Sequence, residues 1–291
     1  MPSLSEQLER DGYVFIPSFM STDEVTAMAA EARHLLKTYD YSAVGSAFTT
    51  KEQERSKGQD YFLASADKVS VFFEEGAHDS DGKLLVPKEN AVNKIAHNLH
   101  NLNAACKEFS YSHKIGQLLS SLGYDDPCCV QSMFIYKQPG IGGEVGAHQD
   151  GTFLRTEPAS VIGLWFAIED ATIENSCLWV VPGSHKKQPI SRYFVKTASG
   201  QTGFEPATAP EFQKEGAIPI EAKAGDCLIL HGSIVHFSQA NSSLSSRIAY
   251  TLHWVDATAH WSPTNWMDAT HFERHTFLPA SSSASAASSS S

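Results

Sequence analysis

Hydrophobic positions keep one rhythm in the first half of the chain and another in the second. Leu4 to Arg10 reads as a short helix stopped by Gly12, and Tyr13-Val14-Phe15-Ile16-Pro17 follows as a strand. Ser21-Thr22-Asp23-Glu24 has the form of a capping box, in which side chains at both ends satisfy unpaired backbone N–H groups. Behind it Val25, Met28, Ala29, Ala32, Leu35 and Leu36 recur at helical spacing, which predicts a helix from about Thr22 to Leu36. Tyr39 to Gly58 is polar and irregular. Val92, Ile95, Ala96 and Leu99 mark a further helical face after Pro87, and Ile115, Leu118, Leu119 and Leu122 mark another, ended by Gly123.

After Pro127 the rhythm shortens. Runs rich in β-branched and aromatic residues appear between Gly, Pro, Ser and Asn: Cys129–Tyr136, Val161–Ile168, Leu178–Val181, Cys227–Leu230 and Ile248–Val255. Many short strands with turn signals predict a sandwich or barrel. Thr197 to Glu215 is a long polar insert, and Ala280 to Ser291 is nearly all Ser and Ala, a composition unable to bury a core. The chain therefore reads as α+β with a mainly β core, one domain over residues 1–279 and a disordered tail over 280–291.

Composition narrows the function. A formal net charge of −11 works against nucleic acid and anionic membrane surfaces as partners. The five cysteines are scattered and form no C-x-x-C pair, which suits a reducing compartment and argues against a structural zinc site. The first residues lack the basic start and apolar block of a signal peptide, so a cytoplasmic location and a small-molecule partner are expected.

The chemistry concentrates in Gly142-Gly143-Glu144-Val145-Gly146-Ala147-His148-Gln149-Asp150-Gly151. On an extended backbone His148 and Asp150 face the same side, because side chains alternate with period two. An imidazole and a carboxylate so placed can take adjacent positions on a metal. A second histidine would complete a facial triad that leaves three positions open, the arrangement of non-haem iron(II) oxygenases. With 13 histidines in the chain, His-x-Asp by itself says little. Downstream, His231 and His236 both offer a third ligand. Eleven residues after His236, Arg247 opens the apolar run Ile248-Ala249-Tyr250-Thr251-Leu252. A guanidinium pointing inward from such a strand needs an anionic partner, and a dicarboxylate co-substrate would supply one.

His148-x-Asp150, then Asn175-Ser176-Cys177-Leu178-Trp179-Val180-Val181-Pro182-Gly183-Ser184-His185, then His236 and Arg247, resembles the phytanoyl-CoA hydroxylase (phytanoyl-CoA dioxygenase) family. Val92-Asn93-Lys94-Ile95, Gln131-Ser132-Met133 and Gly142-Gly143-Glu144-Val145 point to its phytanoyl-CoA dioxygenase domain-containing protein subgroup. The resemblance runs from Asp11-Gly12-Tyr13 to Trp261-Ser262-Pro263. It implies a double-stranded β-helix (jelly roll, cupin-like) with flanking helices from the N-terminal half. It also implies iron(II) on His148, Asp150 and His236, with 2-oxoglutarate and dioxygen as co-substrates. Lys94, Met133, Trp165, Ser238 and Arg247 would then contact 2-oxoglutarate. His231, before the Gly232 turn, and His253, six residues beyond Arg247, are set aside as ligands. Ser176 stands where the family usually has Gly, in a turn, where a local backbone adjustment is expected.

The implied reaction is hydroxylation of an unactivated C–H bond of a small molecule, with release of succinate and carbon dioxide. Desaturation, epoxidation or ring formation would use the same machinery, and a non-catalytic iron-binding jelly-roll sensor or a redox-neutral cupin enzyme would use part of it. Asp150 disfavours halogenation, which needs a non-ligating residue there. Gln138, Gln149, Phe153, Phe237 and Asn241 are the candidates for a substrate pocket.

Overall fold

A computed structural model describes residues 2–41, 59–79, 83–197 and 200–277. The strands are β1 (Tyr13–Ile16), β2 (Val69–Phe73), β3 (Val92–His97), β4 (Pro127–Lys137), β5 (Val145–His148), β6 (Thr156–Glu157), β7 (Ile162–Ala167), β8 (Leu178–Val180), β9 (Tyr193–Lys196), β10 (Thr202–Glu205), β11 (Ile218–Ile220), β12 (Cys227–His231), β13 (His236–Ser238), β14 (Arg247–Asp256) and β15 (His260–Trp261). The helices are α1 (Leu4–Asp11), α2 (Thr22–Thr38), α3 (Gln59–Ala64), α4 (Leu99–Leu102), α5 (Ala104–Ser110), α6 (His113–Ser121) and α7 (Ser184–Lys187).

Seven strands form one antiparallel sheet in the order β1-β12-β7-β14-β4-β3-β2, and four form a second in the order β11-β8-β13-β5. Together they make the jelly roll, an α+β fold. The large sheet alternates its faces except at irregularities in the β4–β14 and β2–β3 ladders. Phe134, Tyr136, Tyr250, Leu252 and Trp254 pack in one cluster with Met28, Ala29 and Ala32 of α2, Phe109 of α5 and Ile115 of α6. The opposite face carries Trp165, Leu228, Leu230 and Ala249, which pack with Leu178, Val180 and Ile234 of the smaller-sheet side. Helices thus cover the outer face, and the site lies between the sheets. Capping boxes start α1 at Ser3 and α2 at Ser21, and Gly12 ends α1 with φ +82°.

Two expectations need correction. Val92 to His97 is a strand, not a helix, and only Leu99 begins a helix. All six residues of β3 are buried, so its apolar positions carried no amphipathic signal, and β3 pairs on one side with β4 and on the other with β2. The polar insert is also less irregular than expected, since β9 and β10 form a hairpin with Phe194 opposite Phe204. The Ser/Ala-rich tail from 280 and most of the polar stretch 39–58 lie outside the described residues. Among the described residues no helix is long and apolar enough to cross a membrane.

Candidate metal centre

β13 pairs with β5 so that His236 lies directly opposite His148, with ring centroids 4.2 Å apart. Asp150 lies two residues past the end of β5, in the first position of a short 3-10 turn. Its Oδ1 lies 3.6 Å from the Nε2 of each imidazole. One donor atom from each of the three residues falls within 4.8 Å of the others, the one such group among the described residues.

The local backbone sets the chemistry of these donors. The Nδ1–H of His148 donates to the Gly146 carbonyl at 2.9 Å, and that of His236 to the Ile234 carbonyl at 3.1 Å. A carbonyl only accepts, so each neutral ring carries its proton on Nδ1 and turns an unprotonated Nε2 to Asp150. Burial, with His148 nearby, pushes the His236 imidazole down to about 4. Burial also pulls His148 down, but the adjacent Asp150 carboxylate outweighs it and leaves that ring above its ordinary value. For Asp150 burial acts upward, and the surrounding imidazoles of His236, His253 and His148 overcome it and hold the carboxyl well below the usual range. A carboxylate and two nitrogen lone pairs converging from two strands fit a divalent iron with open positions. Gly163 makes room for them: a Cβ there would meet Asp150 Oδ2 at 2.9 Å.

Two cavities meet at this centre. The smaller, ≈ 90 Å³, is bounded by His148, Asp150, His236, Trp165, Ser238 and Arg247, among others. Arg247 is 1% exposed, and burial pushes its guanidinium down to about 10. Its Nε donates to the Ser176 carbonyl at 3.2 Å, but its Nη1 is buried with no protein partner. Trp165 Nε1 and Ser238 Oγ are likewise buried and unpartnered. Three polar groups able to donate therefore converge on one small enclosed space with nothing to accept from them. Such groups normally find partners, so the space suits a compact anion.

The larger cavity, ≈ 210 Å³, shares Met133, Ile135, Val145, His148, Asp150 and His253 with the smaller one. Its remaining wall is rich in aromatics, including Phe62, Phe153, Phe204, Phe212 and Trp266. The hairpin contributes here: Phe153 lies 5.8 Å from Phe194 and 5.9 Å from Phe204, centroid to centroid.

Of the residues implied to contact the co-substrate, Met133, Trp165, Ser238 and Arg247 line the smaller cavity. Lys94 instead stands on the larger one, on β3 and not on a helix. Its Nζ lies 3.2 Å from His97 Nε2, and burial pushes it down to about 7. Of the five substrate candidates only Phe153 lines either of these two cavities. The Gln138 amide donates to the Glu89 carbonyl, Gln149 to the carbonyls of Gln188 and Ser233, and Asn241 to those of Lys137 and Ser245. Phe237 stacks on Trp179 at 6.1 Å. Sequence proximity to the ligands suggested these four, but alternation turns them away from the space between the sheets or commits their amides to turns.

Ser176 keeps the left-handed backbone that a glycine would adopt, with φ +79°, and its hydroxyl donates to the Gln239 carbonyl. It lies closer to the chemistry than its turn suggested, since its carbonyl holds Arg247. His253, set aside as a ligand, brings Nε2 to 3.3 Å from Asp150 Oδ2 and thus steadies the carboxylate from behind. An even spacing from Arg247 on β14 was the signal that could have placed it on the inner face.

A family model described as phytanoyl-CoA dioxygenase (PhyH) matches residues 8–249. A phytanoyl-CoA dioxygenase of Arabidopsis thaliana is 44% identical over 267 residues, covering 91% of this chain and 93% of that protein. A phytanoyl-CoA dioxygenase domain-containing protein 1 of Bos taurus is 41% identical over 277 residues, covering 92% and 95%. Among solved structures, the epimerase SnoN in complex with Fe3+, alpha ketoglutarate and nogalamycin RO shares the fold, with a TM-score of 0.62 at 20% identity over 96% of this chain and 90% of that one.

Proposed function

The chain belongs to the phytanoyl-CoA dioxygenase family of non-haem iron, 2-oxoglutarate-dependent dioxygenases, and on that premise we propose that it hydroxylates an unactivated C–H bond of a small molecule, with His148, Asp150 and His236 holding the metal. Bound iron would supply the open positions at which 2-oxoglutarate and dioxygen meet, and the oxidising power that ends in succinate, carbon dioxide and a hydroxylated product. Everything else is the work of the protein's own side chains.

The observation that carries the reading is the convergence of Arg247 Nη1, Ser238 Oγ and Trp165 Nε1, all buried and unpartnered, on the small cavity beside the triad. Arg247 would take the distal carboxylate of 2-oxoglutarate, in the charge-assisted geometry that guanidinium favours. Ser238 and Trp165 would fix the orientation of the co-substrate. Asp150 stays ionised, the His236 ring needs no deprotonation before it binds metal, and metal would displace the Nε2 proton that the neighbouring carboxylate favours on His148. The aromatic wall of the larger cavity keeps water from the reacting C–H bond, and the shared wall brings substrate to the metal's open side.

Conversion of 2-oxoglutarate to succinate tests the reading without a known substrate, because these enzymes turn over slowly when uncoupled. Iron(II)-loaded protein in air should release succinate, and EDTA should stop it. Stoichiometric iron binding with no consumption of 2-oxoglutarate would point to a non-catalytic jelly roll instead.

A further inference from the structure

One buried side chain in the larger cavity has no task inside the protein. Gln131 lies on β4, in register with Met133 and Ile135 on the strand face that lines this cavity. It is 7% exposed, and its carboxamide makes no hydrogen bond to another described residue. The other eight buried Asn and Gln side chains of the described residues are all hydrogen-bonded within the protein. Thr152, also 7% exposed and on the same wall, has a hydroxyl with no protein partner. Neither group is sealed off from the cavity, so each can hydrogen-bond to a ligand held there.

The surroundings say what kind. Phe62, Phe153, Phe204, Phe212 and Trp266 favour a flat apolar body. The charged groups on the wall are already engaged. Asp150 is a ligand residue, Lys94 adjoins His97, and Arg192 packs 3.8 Å over Phe204 while donating to the Ala207 carbonyl. A carboxamide offers one donor and one acceptor side by side, and their complement is an N–H next to a C=O.

We propose that Gln131 is a specificity-determining residue that pairs with an uncharged amide-type edge on an aryl or similarly flat substrate, with the Thr152 hydroxyl as a second contact. The inference rests on the reading of this cavity as the site of the primary substrate. Gln131 sits opposite His253 across the β4–β14 ladder, so a substrate held there lies beside Asp150.

The test is anaerobic calorimetric titration of iron(II)-loaded, 2-oxoglutarate-saturated protein with benzamide, benzoate and acetophenone. Wild-type protein should bind benzamide about tenfold more tightly than either other probe. In Gln131→Leu, which keeps the volume, benzamide should fall to the level of acetophenone, and Thr152→Val should lose about threefold. The wild-type ranking needs no variant to fold. Benzoate binding more tightly than benzamide would assign the cavity to anions, and benzamide binding no better than acetophenone, or not at all, would also overturn the proposal. Saturating the protein with 2-oxoglutarate, followed by the same calorimetry, reports on the co-substrate reading separately: its failure beside an intact benzamide preference would sink that reading and spare this one.

Discussion

The two cavities that meet at Asp150 select their contents by opposite means. The smaller is enclosed by Arg247, Trp165 and Ser238, whose unpartnered donor atoms demand an anion of fixed shape. The larger is walled by aromatic rings, and its unspent polar groups, Gln131 and Thr152, are neutral. A buried guanidinium tolerates few alternatives, because leaving it unpaired is costly. An aromatic wall discriminates by area and shape, so its occupant can differ between relatives while the co-substrate stays the same. The difference explains why the fold announces 2-oxoglutarate and stays reticent about the substrate.

The strongest way to break the comparison is at the junction the cavities share. Asp150→Ala and His236→Ala should abolish stoichiometric iron binding and reduce succinate release to background, with the circular dichroism spectrum retained. Full activity in His236→Ala would remove that residue from the ligand set. Next in size is Arg247→Ala. Truncating one side of a buried charge pair costs about 2–5 kcal/mol, so the 2-oxoglutarate Kd should rise by about a hundredfold. Binding of probes in the larger cavity should be spared. Phe153→Ala reverses that pattern. It should weaken benzamide binding about tenfold and leave the 2-oxoglutarate Kd within about twofold. Equal losses in both titrations would show that the cavities are not separable.

The smallest effect concerns Lys94, which burial pushes down to about 7 from 10.5. Between those values the unfolded chain holds a proton that the folded chain has released. Stability from this group therefore rises with pH across that window. The Tm of the wild type should gain about 5–9 °C between pH 7 and 9 relative to Lys94→Met. Parallel Tm profiles for the two proteins would show that Lys94 is charged throughout.

Much of this was legible in the sequence. Period-two alternation put His148 and Asp150 on one face, while the choice of His236 as third ligand and of Arg247 as co-substrate contact came from the family resemblance. The capping boxes at Ser3 and Ser21 are local chemistry, and the second of them marked the start of α2 in advance. β3 was misread because three of its buried residues, Asn93, Lys94 and His97, are polar, which leaves Val92, Ile95 and Ala96 at the spacing of a helical stripe. The larger cavity was hardest to read. Phe62, the insert residues Phe204 and Phe212, and Trp266 come from three separate parts of the chain, and only tertiary packing assembles them. Gln131 was quoted for its neighbours, while its own significance depends on the partners it lacks. Gln138, Gln149 and Asn241 look equally suitable in the sequence, yet the structure spends their amides on backbone carbonyls.

The central claim is that a metal-binding triad and Arg247 together define a site for a dicarboxylate. Anaerobic calorimetric titration of 2-oxoglutarate into iron(II)-loaded wild type, metal-free wild type and iron(II)-loaded Arg247→Ala tests it most directly. The account predicts one equivalent bound tightly in the first case and an affinity lower by about a hundredfold in the third, with metal-free protein also weakened. The same Kd in all three samples would contradict it.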